Sequence, residues 1–253
     1  MESGTVSERL RVAIVDDETP ARSLLREYLS AFPDVEIVAE CANGFEAVKA
    51  VEETAPALIL LDIQMPGLSG FETLELLPCE VAVVFVTAYD EYAVRAFEVH
   101  AVDYLLKPFS PERLEQALRR ARQRIGRPRG GEPEKLAAAA RPPGTWPDRL
   151  VAREGGRVHV IPVDALDFVE ARDDYVCLRS GGREVLKQQT LTELAATLDP
   201  ARFVRVHRSF ILNVTKIARV ERYAKDSRLA VLLDGTKVPV SRAGYAALRE
   251  HLK

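Results

Sequence analysis

At 253 residues the chain is long enough for two domains of ordinary size, and its 47% hydrophobic and 29% charged residues are typical of folded globular proteins. No apolar run reaches the roughly 18 residues that cross a membrane, and the first eight residues lack the pattern of a signal peptide. Three scattered cysteines, Cys41, Cys79 and Cys177, indicate neither a disulfide framework nor a zinc site, so we expect a cytoplasmic protein with no membrane partner.

The net charge of −3 hides two halves of opposite sign. Residues 1–124 hold 12 Lys and Arg against 22 Asp and Glu, whereas residues 148–253 hold 19 Lys and Arg against 14 Asp and Glu. An acidic half joined to a basic one suggests that the second half meets a polyanion such as nucleic acid. Chance scatter of surface charge would give the same counts, so charge alone does not decide.

Strand and helix patterns alternate along residues 10–124, behind an N-terminal tail at residues 1–9. Apolar runs predict strands at residues 12–15, 35–39, 57–61, 81–86 and 104–106. Helices are predicted after the N-cap Thr19, at Gly44, near Phe71, after Asp90 and after Ser110. Five alternating pairs favour an α/β doubly wound fold with a five-stranded parallel sheet.

Charged and hydroxyl side chains stand at the ends of four of these strands. They are Asp16 and Asp17, Asp62, Thr87, and Lys107. Because the carboxyl ends of parallel strands share one edge of the sheet, we expect these side chains to converge. Three carboxylates placed together repel by about 4 kcal/mol per pair at an effective dielectric near 20, so a positive charge must offset them. Lys107 supplies one, and Mg²⁺, which prefers carboxylate and phosphate oxygens, can supply more.

Such an edge is suited to forming an aspartyl phosphate. We predict that Asp62 is the phosphoacceptor and that Thr87 and Lys107 hydrogen-bond the phosphoryl oxygens. The predicted Mg²⁺ ligands are Asp16, Asp17, Asp62 and the backbone carbonyl of Gln64. Each residue alone could be a helix cap, a solvated strand end or a surface lysine. Their joint occurrence at the strand ends favours a site.

Four motifs in residues 10–124 resemble the receiver (CheY-like) domain of two-component response regulators. They are Val15-Asp16-Asp17, Leu61-Asp62-Ile63-Gln64-Met65-Pro66-Gly67, Val86-Thr87-Ala88 and Lys107-Pro108-Phe109. The resemblance implies that a sensor histidine kinase phosphorylates Asp62 and that Thr87 and Tyr104 then move. It also implies a homodimer through the fourth helix, fifth strand and fifth helix of the phosphorylated domain. Tyr104 could equally be an ordinary half-buried strand tyrosine.

The pattern changes after residue 124. Nine Gly and Pro residues crowd residues 125–147, which predicts a flexible linker. Residues 148–253 show short strands at close spacing, with hairpin turns at residues 155–156, 181–182 and 234–235. Residues 190–198 and the tail from Arg242 read as helices, and residues 163–166 as a short turn or helix, so we predict a mostly antiparallel β domain. No helix-turn-helix is visible, because the helix at residues 190–198 is followed by a proline and a strand rather than by a recognition helix.

If this domain binds DNA, its loops and strand ends must do so. Polar and basic residues in predicted loops or at strand ends are candidate contacts: Arg172, Lys187, His207, Arg208, Ser209, Lys225, Arg228 and Arg242. Arg can pair bidentately with guanine, and Lys with phosphate. His207 could instead bond locally. Arg205, which alternates with two valines, could simply line a solvated strand face.

The phrase Phe203-Val204-Arg205-Val206-His207-Arg208-Ser209-Phe210-Ile211-Leu212-Asn213 resembles the LytTR DNA-binding domain, as do residues 173–175 and 238–242. Residues 97–104 also resemble receivers that carry this output domain. The resemblance implies a β-rich fold whose loops enter successive major grooves, often at paired direct repeats in promoters. It makes the loop after Ala171, the turn at residues 207–209 and Arg242 the best candidates for base contact, with residues 210–212 in the core.

These features predict a response regulator that controls transcription through a LytTR domain and that is not an enzyme acting on a separate metabolite. One alternative is a Mg²⁺-dependent phosphatase or phosphotransferase. Such enzymes commonly carry a second acid two residues after the nucleophile, where this chain has Gln64. The other alternative is a signalling adaptor whose basic half binds an acidic partner protein.

Overall fold

The computed structural model describes residues 9–78, 80–88, 101–125, 146–224 and 227–251. The chain divides into two compact units, residues 1–141 and 142–253, and the division falls inside the predicted linker. The helix predicted after Asp90, most of the linker and Lys225 lie outside the described residues. In the part of the chain that is described, no helix combines the length and the apolar character needed to cross a membrane.

The first unit is built on five parallel strands. They are β1 (Leu10–Val15), β2 (Val35–Cys41), β3 (Leu58–Leu61), β4 (Ala82–Thr87) and β5 (Asp103–Leu106), in the order β2-β1-β3-β4-β5. Every residue of β3 and β4 is buried, which explains why both strands are continuous apolar runs rather than alternating ones. The predicted doubly wound parallel sheet is confirmed.

Four described helices accompany this sheet. They are α1 (Thr19–Leu29), α2 (Gly44–Thr54), α3 (Gly70–Leu76) and α4 (Pro111–Arg124), the last being the fifth helix that the sequence predicts. Asn43, Ser69 and Ser110 cap α2, α3 and α4 by accepting a hydrogen bond from a backbone amide of the first turn.

The predicted N-cap of the first helix is wrong. Thr19 is the first helical residue, and Glu18 occupies the cap position without a capping hydrogen bond from its side chain. The Thr19 hydroxyl instead accepts a hydrogen bond from the Arg22 guanidinium at 3.0 Å. The start of α1 is therefore organised by an arginine that lies one turn into the helix.

The second unit is antiparallel throughout. A hairpin of β6 (Arg149–Glu154) and β7 (Arg157–Pro162) precedes a five-stranded sheet of order β10-β9-β8-β12-β11. Those strands are β8 (Leu166–Arg172), β9 (Tyr175–Ser180), β10 (Arg183–Lys187), β11 (Phe203–His207) and β12 (Phe210–Asn213). A third sheet holds β13 (Ile217–Ala224), β14 (Ser227–Leu232) and β15 (Lys237–Val240). The described α-helices here are α5 (Leu191–Thr197) and α6 (Arg242–His251), and single 3-10 turns lie at Val163–Ala165 and Val214–Lys216. This β-rich fold confirms the prediction.

Two of the predicted hairpin turns depend on glycine pairs. Gly155 and Gly156 have φ of +56° and +75°, and Gly181 and Gly182 have φ of +54° and +79°. Two successive residues with positive φ give the turn whose twist matches that of paired antiparallel strands. A side chain at any of these four positions would therefore strain the hairpin.

Strand β12 was not predicted as a strand. Its residues Ile211 and Leu212 are nevertheless core residues, at 1% and 0% exposure, as the resemblance implied, while Phe210 is half-buried. Phe210–Asn213 is short and does not alternate, because β8 and β11 cover its two edges and buried side chains cover its faces. Strand β12 begins directly after the turn at residues 207–209 and therefore positions that turn at the surface of the second unit.

Candidate phosphorylation site and candidate DNA-binding surface

The structure brings three aspartates together at the carboxyl edge of the parallel sheet. Asp16 and Asp17 follow β1, and Asp62 follows the neighbouring strand β3. One carboxylate oxygen from each lies within 4.8 Å of the others. Asp16 and Asp62 are 0% and 6% exposed, whereas Asp17 is exposed. Two of the three carboxylates are therefore largely removed from bulk water.

Lys107, which follows β5, joins two of these carboxylates. Its Nζ lies 2.6 Å from Asp16 Oδ2 and 3.0 Å from Asp62 Oδ2. Burial by itself lowers the pKa of Lys107, but the hydrogen bonds to the two carboxylates raise it above its ordinary value. Burial raises the pKa of Asp16. One ammonium group faces three carboxylates, so the cluster still has an excess of negative charge.

The backbone around Asp62 is fixed from two sides. The Asp62 amide donates to the Val15 carbonyl of β1, and Asp62 Oδ1 accepts from the Ile63 amide at 2.6 Å. On the other side Gly70 N donates to the Ile63 carbonyl at 2.8 Å, and a Cβ at Gly70 would lie only 2.3 Å from the Asp62 carbonyl oxygen. Glycine is therefore required for α3 to start this close to Asp62. Gln64, whose carbonyl is a predicted ligand, is exposed in the same loop.

Arg22 supports the turn that carries the other two aspartates. Its guanidinium donates to the backbone carbonyls of Asp16 at 2.7 Å and Asp17 at 3.2 Å, and Asp16 Oδ1 accepts from the Glu18 amide. Sequence reasoning missed Arg22. Its partners are backbone carbonyls, which any residue type can provide, so the sequence carries no signal that identifies this contact.

Thr87 and Tyr104 lie on the two strands beyond Asp62. Thr87, the last residue of β4, is 0% exposed, and its Oγ1 has no hydrogen-bond partner among the described residues. A buried hydroxyl without a partner is uncommon, and this one is free to donate a hydrogen bond to a group that binds at this edge of the sheet. Tyr104, on β5, is already 8% exposed and pairs in register with Phe85.

The donor set of this cluster fits a hard divalent cation. Asp16, Asp17 and Asp62 offer oxygen atoms only, no His or Cys side chain belongs to the cluster among the described residues, and the negative charge exceeds what Lys107 offsets. Carboxylate oxygens with room for water and phosphate are the ligands that Mg²⁺ prefers. The unpartnered Thr87 hydroxyl adds a donor suited to an anionic group.

In the second unit, hydrogen bonds connect most of the candidate DNA contacts along one end of the domain. The Ala171 amide donates to the Ser209 carbonyl at 2.9 Å, which places the turn at residues 207–209 beside the end of β8. The Ser241 amide and hydroxyl both donate to the Val206 carbonyl, at 2.9 and 3.0 Å. Arg172, the turn and Arg242 therefore lie next to one another.

The candidate DNA-contacting side chains differ in whether they already have bonding partners. Arg208 and Arg242 are exposed, and neither guanidinium has a hydrogen-bond or ion-pair partner within the described ranges. His207 is half-buried, and its Nδ1 accepts a hydrogen bond from the Ser209 amide at 3.3 Å. Because Nδ1 accepts this bond, a neutral ring has Nε2 as its donor.

Arg172 and Arg228 are already engaged. The Arg172 guanidinium bonds Glu170 Oε2 at 2.9 Å and Glu184 Oε2 at 3.1 Å, and this contact lowers the pKa of Glu184. The Arg228 guanidinium carbon lies 3.8 Å from the centre of the Tyr245 ring on α6. Both would have to give up or share these contacts in order to bind DNA.

The prediction that Lys187 belongs to a DNA-contacting loop is wrong. Lys187 is the last residue of β10, is 6% exposed and donates from Nζ to the Val151 carbonyl at 2.8 Å. Its aliphatic stem and ammonium group thus join β10 to the β6–β7 hairpin rather than reach solvent. Ser209 lies in the turn as predicted, while Lys225 lies outside the described residues.

Comparison with known proteins matches each unit to a family. Residues 12–119 match the response regulator receiver domain, and residues 156–253 match the LytTr DNA-binding domain. The chain is 37% identical over 245 residues to the transcriptional regulatory protein BtsR of Salmonella typhi, covering 95% of this chain and 98% of that protein. It is 38% identical over 256 residues to an uncharacterised response regulatory protein of Vibrio cholerae, covering 94% and 97% of the two chains. Among solved structures, the response regulatory domain of mrkE from Klebsiella pneumoniae is 32% identical, with a TM-score of 0.41 over 45% of this chain and 95% of that one.

The parallel sheet with its acidic edge and the matched receiver model define the class: the chain belongs to the response regulators. More particularly, it combines a receiver domain with a LytTR DNA-binding domain, an arrangement consistent with two-component regulation of transcription. The family that residues 156–253 match is a DNA-binding family, and the Salmonella typhi relative is a transcriptional regulatory protein.

Proposed function

We propose that a sensor histidine kinase phosphorylates this chain on Asp62 and that phosphorylation controls sequence-specific DNA binding by residues 148–253. The observation that carries the first part is the cluster of Asp16, Asp17, Asp62 and Lys107 beside a buried Thr87 hydroxyl that has no partner among the described residues. The hydroxyl is therefore available to donate to a group that binds at this edge.

Each residue of the cluster then has a distinct task. An oxygen of the Asp62 carboxylate attacks phosphorus, the O–P bond forms and the P–N bond to the kinase histidine breaks. Lys107 Nζ and Thr87 Oγ1 donate hydrogen bonds to the phosphoryl oxygens. Asp16, Asp17, Asp62 and the Gln64 carbonyl would hold Mg²⁺, which when bound supplies the positive charge that this step needs. Tyr104 lies on the same face of the sheet as Thr87, and its side chain would move when Thr87 moves.

For the second part, we infer that DNA binds along the end of the domain defined by the turn at residues 207–209 and the start of α6. Arg208 and Arg242 are the strongest candidates because their guanidinium groups are exposed and uncommitted within the described part of the chain. His207 and Ser209 belong to the same turn as Arg208, and Arg172 and Arg228 are weaker candidates because each already has a partner. Lys225 remains a candidate from the sequence alone.

The remaining partners follow from this function. Paired direct repeats in promoter DNA require two copies of the chain, so we propose that phosphorylation produces a homodimer. Kinase, Mg²⁺ and chromosomal DNA are all accessible in the cytoplasm, which is where we place the protein. We also propose that the chain does not act as an enzyme on a separate metabolite, because its only substrate is the phosphoryl group that it accepts.

Labelling with a small phosphodonor tests the central step. Wild-type protein incubated with radiolabelled acetyl phosphate and Mg²⁺ should take up an acid-stable, base-labile label, and Asp62→Asn should abolish it. Asp34→Asn, which changes an exposed carboxylate bonded to Arg122 away from this edge, is the matched control and should label normally. Full labelling of Asp62→Asn would show that another residue is the phosphoacceptor.

A further inference from the structure

One guanidinium group connects α5 to the turn that carries the candidate base contacts. Arg205 lies in the middle of β11, and its neighbours Val204 and Val206 are 5% and 0% exposed, so its own side chain faces outwards. Its NH1 donates to Thr192 Oγ1 at 3.0 Å, and its NH2 donates to the Arg208 carbonyl at 3.0 Å. A solvated strand residue would not need two such partners.

The backbone of β11 needs support at this point. The pairing of β11 with β12 shifts register between Arg205 and His207, which places a bulge at Val206. The Val206 carbonyl accepts from Ser241 at the start of α6, and a Cβ at Gly244 would lie only 1.9 Å from that carbonyl oxygen. The α6 side of the strand is therefore held tightly.

Arg205 supplies the corresponding hold on the opposite side. The Arg208 carbonyl belongs to the peptide that links Arg208 to Ser209, and the next carbonyl, that of Ser209, is fixed by the Ala171 amide. With these bonds in place, the carbonyl groups of two successive turn residues, Arg208 and Ser209, have a defined orientation. The planar guanidinium suits this role, because it offers donors on two separate nitrogens in a fixed fork.

We propose that Arg205 is a positioning residue for DNA recognition, which ties the Arg208 carbonyl to Thr192 on α5 and so holds His207 and Arg208 in the orientation that binds bases. It does not itself contact a phosphate. This inference rests on the proposed DNA binding by residues 148–253. It predicts that the geometry of the guanidinium matters and that its charge does not.

The test uses the full chain and two fluorescent duplexes. One duplex is selected from a random-sequence pool by the wild-type protein, and the other is a scrambled duplex of the same composition. Arg205→Lys keeps the charge but has a single nitrogen, so it should weaken binding to the selected duplex about tenfold, the loss expected for hydrogen bonds to a charged group. Thr192→Val should weaken it less. Binding to the scrambled duplex and the salt dependence of affinity should stay unchanged.

A second measurement follows the turn itself without DNA. Amide hydrogen exchange at residues 207–210 should be faster in Arg205→Lys and Thr192→Val than in wild type. Arg157→Ala, which removes an exposed arginine from β7, is the matched control and should alter neither exchange at the turn nor affinity.

Two results would overturn the proposal. If Arg205→Lys binds like wild type while Arg205→Ala loses affinity equally on both duplexes and lowers the salt slope by about 0.9, then Arg205 is a phosphate contact. If amide hydrogen exchange at residues 207–210 is unchanged in Arg205→Lys, the two hydrogen bonds of the Arg205 guanidinium do not order the turn. A wild-type protein that shows no preference between the duplexes would instead refute the proposed DNA binding, while exchange would still decide whether Arg205 orders the turn.

Discussion

Asp17 shows how a single residue at the acidic edge balances stability against function. It is exposed and lies in the cluster with the buried carboxylates of Asp16 and Asp62, which share one ammonium group on Lys107. Without a bound cation, the charge of Asp17 adds to the repulsion in the cluster. Among the described residues, its carboxylate makes no hydrogen bond that would offset this repulsion. If Mg²⁺ binds there as proposed, the same carboxylate would be one of its ligands.

We therefore expect Asp17→Asn to make the protein more stable in a chelating buffer and to weaken Mg²⁺ binding by at least about tenfold. The measurement is the free energy of unfolding by urea across a series of Mg²⁺ concentrations. Wild-type stability should rise with Mg²⁺ because the ion binds only the folded state, and that rise should be much smaller in Asp17→Asn. Equal Mg²⁺ responses in the two proteins would remove Asp17 from the metal site.

At the scale of elements, Asp103 attaches β5 to α4. Its carboxylate, 2% exposed, accepts from Arg113 at 2.7 and 2.8 Å, from Arg120 at 3.0 Å and from the Tyr104 amide. Burial by itself raises the pKa of Asp103, but the Arg113 hydrogen bonds, the Tyr104 amide and the arginine charges lower it below its ordinary value. The unfolded chain consequently binds the proton more readily than the folded one.

Stability from this carboxylate should be fully present above the unfolded pKa of about 3.9 and be lost as the pH falls through the lower folded value. We expect Asp103→Asn to cost about 2 kcal/mol at pH 7, less than a fully buried ion pair, because the Arg113 side chain is 32% exposed. Urea unfolding between pH 3 and pH 7 checks both points. The variant should lose less stability with acid than wild type; parallel curves would contradict the assignment.

Helix α6 and strand β11 pack closely at a glycine in the first turn of the helix, Gly244. Replacing a helical glycine by alanine normally stabilises a protein by about 1 kcal/mol. At Gly244 the added Cβ would meet the Val206 carbonyl oxygen at 1.9 Å, and the backbone atoms of Val206 cannot move without disturbing the bulge in β11.

We therefore expect Gly244→Ala to reverse the usual sign and lower the free energy of unfolding by about 2–3 kcal/mol. Ala246→Gly on the exposed face of the same helix is the control, and it should cost only the intrinsic difference of about 1 kcal/mol. Equilibrium urea unfolding measures both. A stabilised Gly244→Ala would mean that α6 and β11 are not packed this closely.

Elements of this fold were predictable to different degrees. Strands such as β3 and β4 were found because they are continuous apolar runs, and hairpins because glycine pairs mark them. Contacts that depend on tertiary packing could not be predicted from the sequence. Lys187 looked like a loop residue because nothing local shows that the Val151 carbonyl covers its ammonium group, and β12 was missed because its partners β8 and β11 define it.

The candidate site follows the same division. The strand-end positions of Asp16, Asp62 and Lys107 could be read from the sequence, because parallel strands bring their carboxyl ends together. The arginines that hold the backbone near these sites could not be identified from the sequence. Arg22 and Arg205 act through backbone carbonyls, and any residue type can provide a carbonyl, so no pattern in the sequence identifies their partners.

At the scale of the whole molecule, the two domains carry opposite charge. Residues 1–124 have ten more acidic than basic residues, and residues 148–253 have five more basic than acidic ones. DNA repels the first and attracts the second, so binding by one copy should be weak and sensitive to salt. Two copies joined through their receiver domains would bind paired sites more tightly, because the second contact becomes intramolecular.

We expect beryllium fluoride, which mimics the phosphoryl group, together with Mg²⁺ to raise the affinity for a duplex with two selected repeats by at least about tenfold. A duplex with one repeat should gain little, since the contacts of a single copy are unchanged. Fluorescence anisotropy gives the affinities and sedimentation velocity gives the oligomeric state, with Asp62→Asn as the variant that should not respond. Equal gains on both duplexes, with the protein still monomeric, would show that phosphorylation relieves inhibition within one chain and does not act through dimer formation.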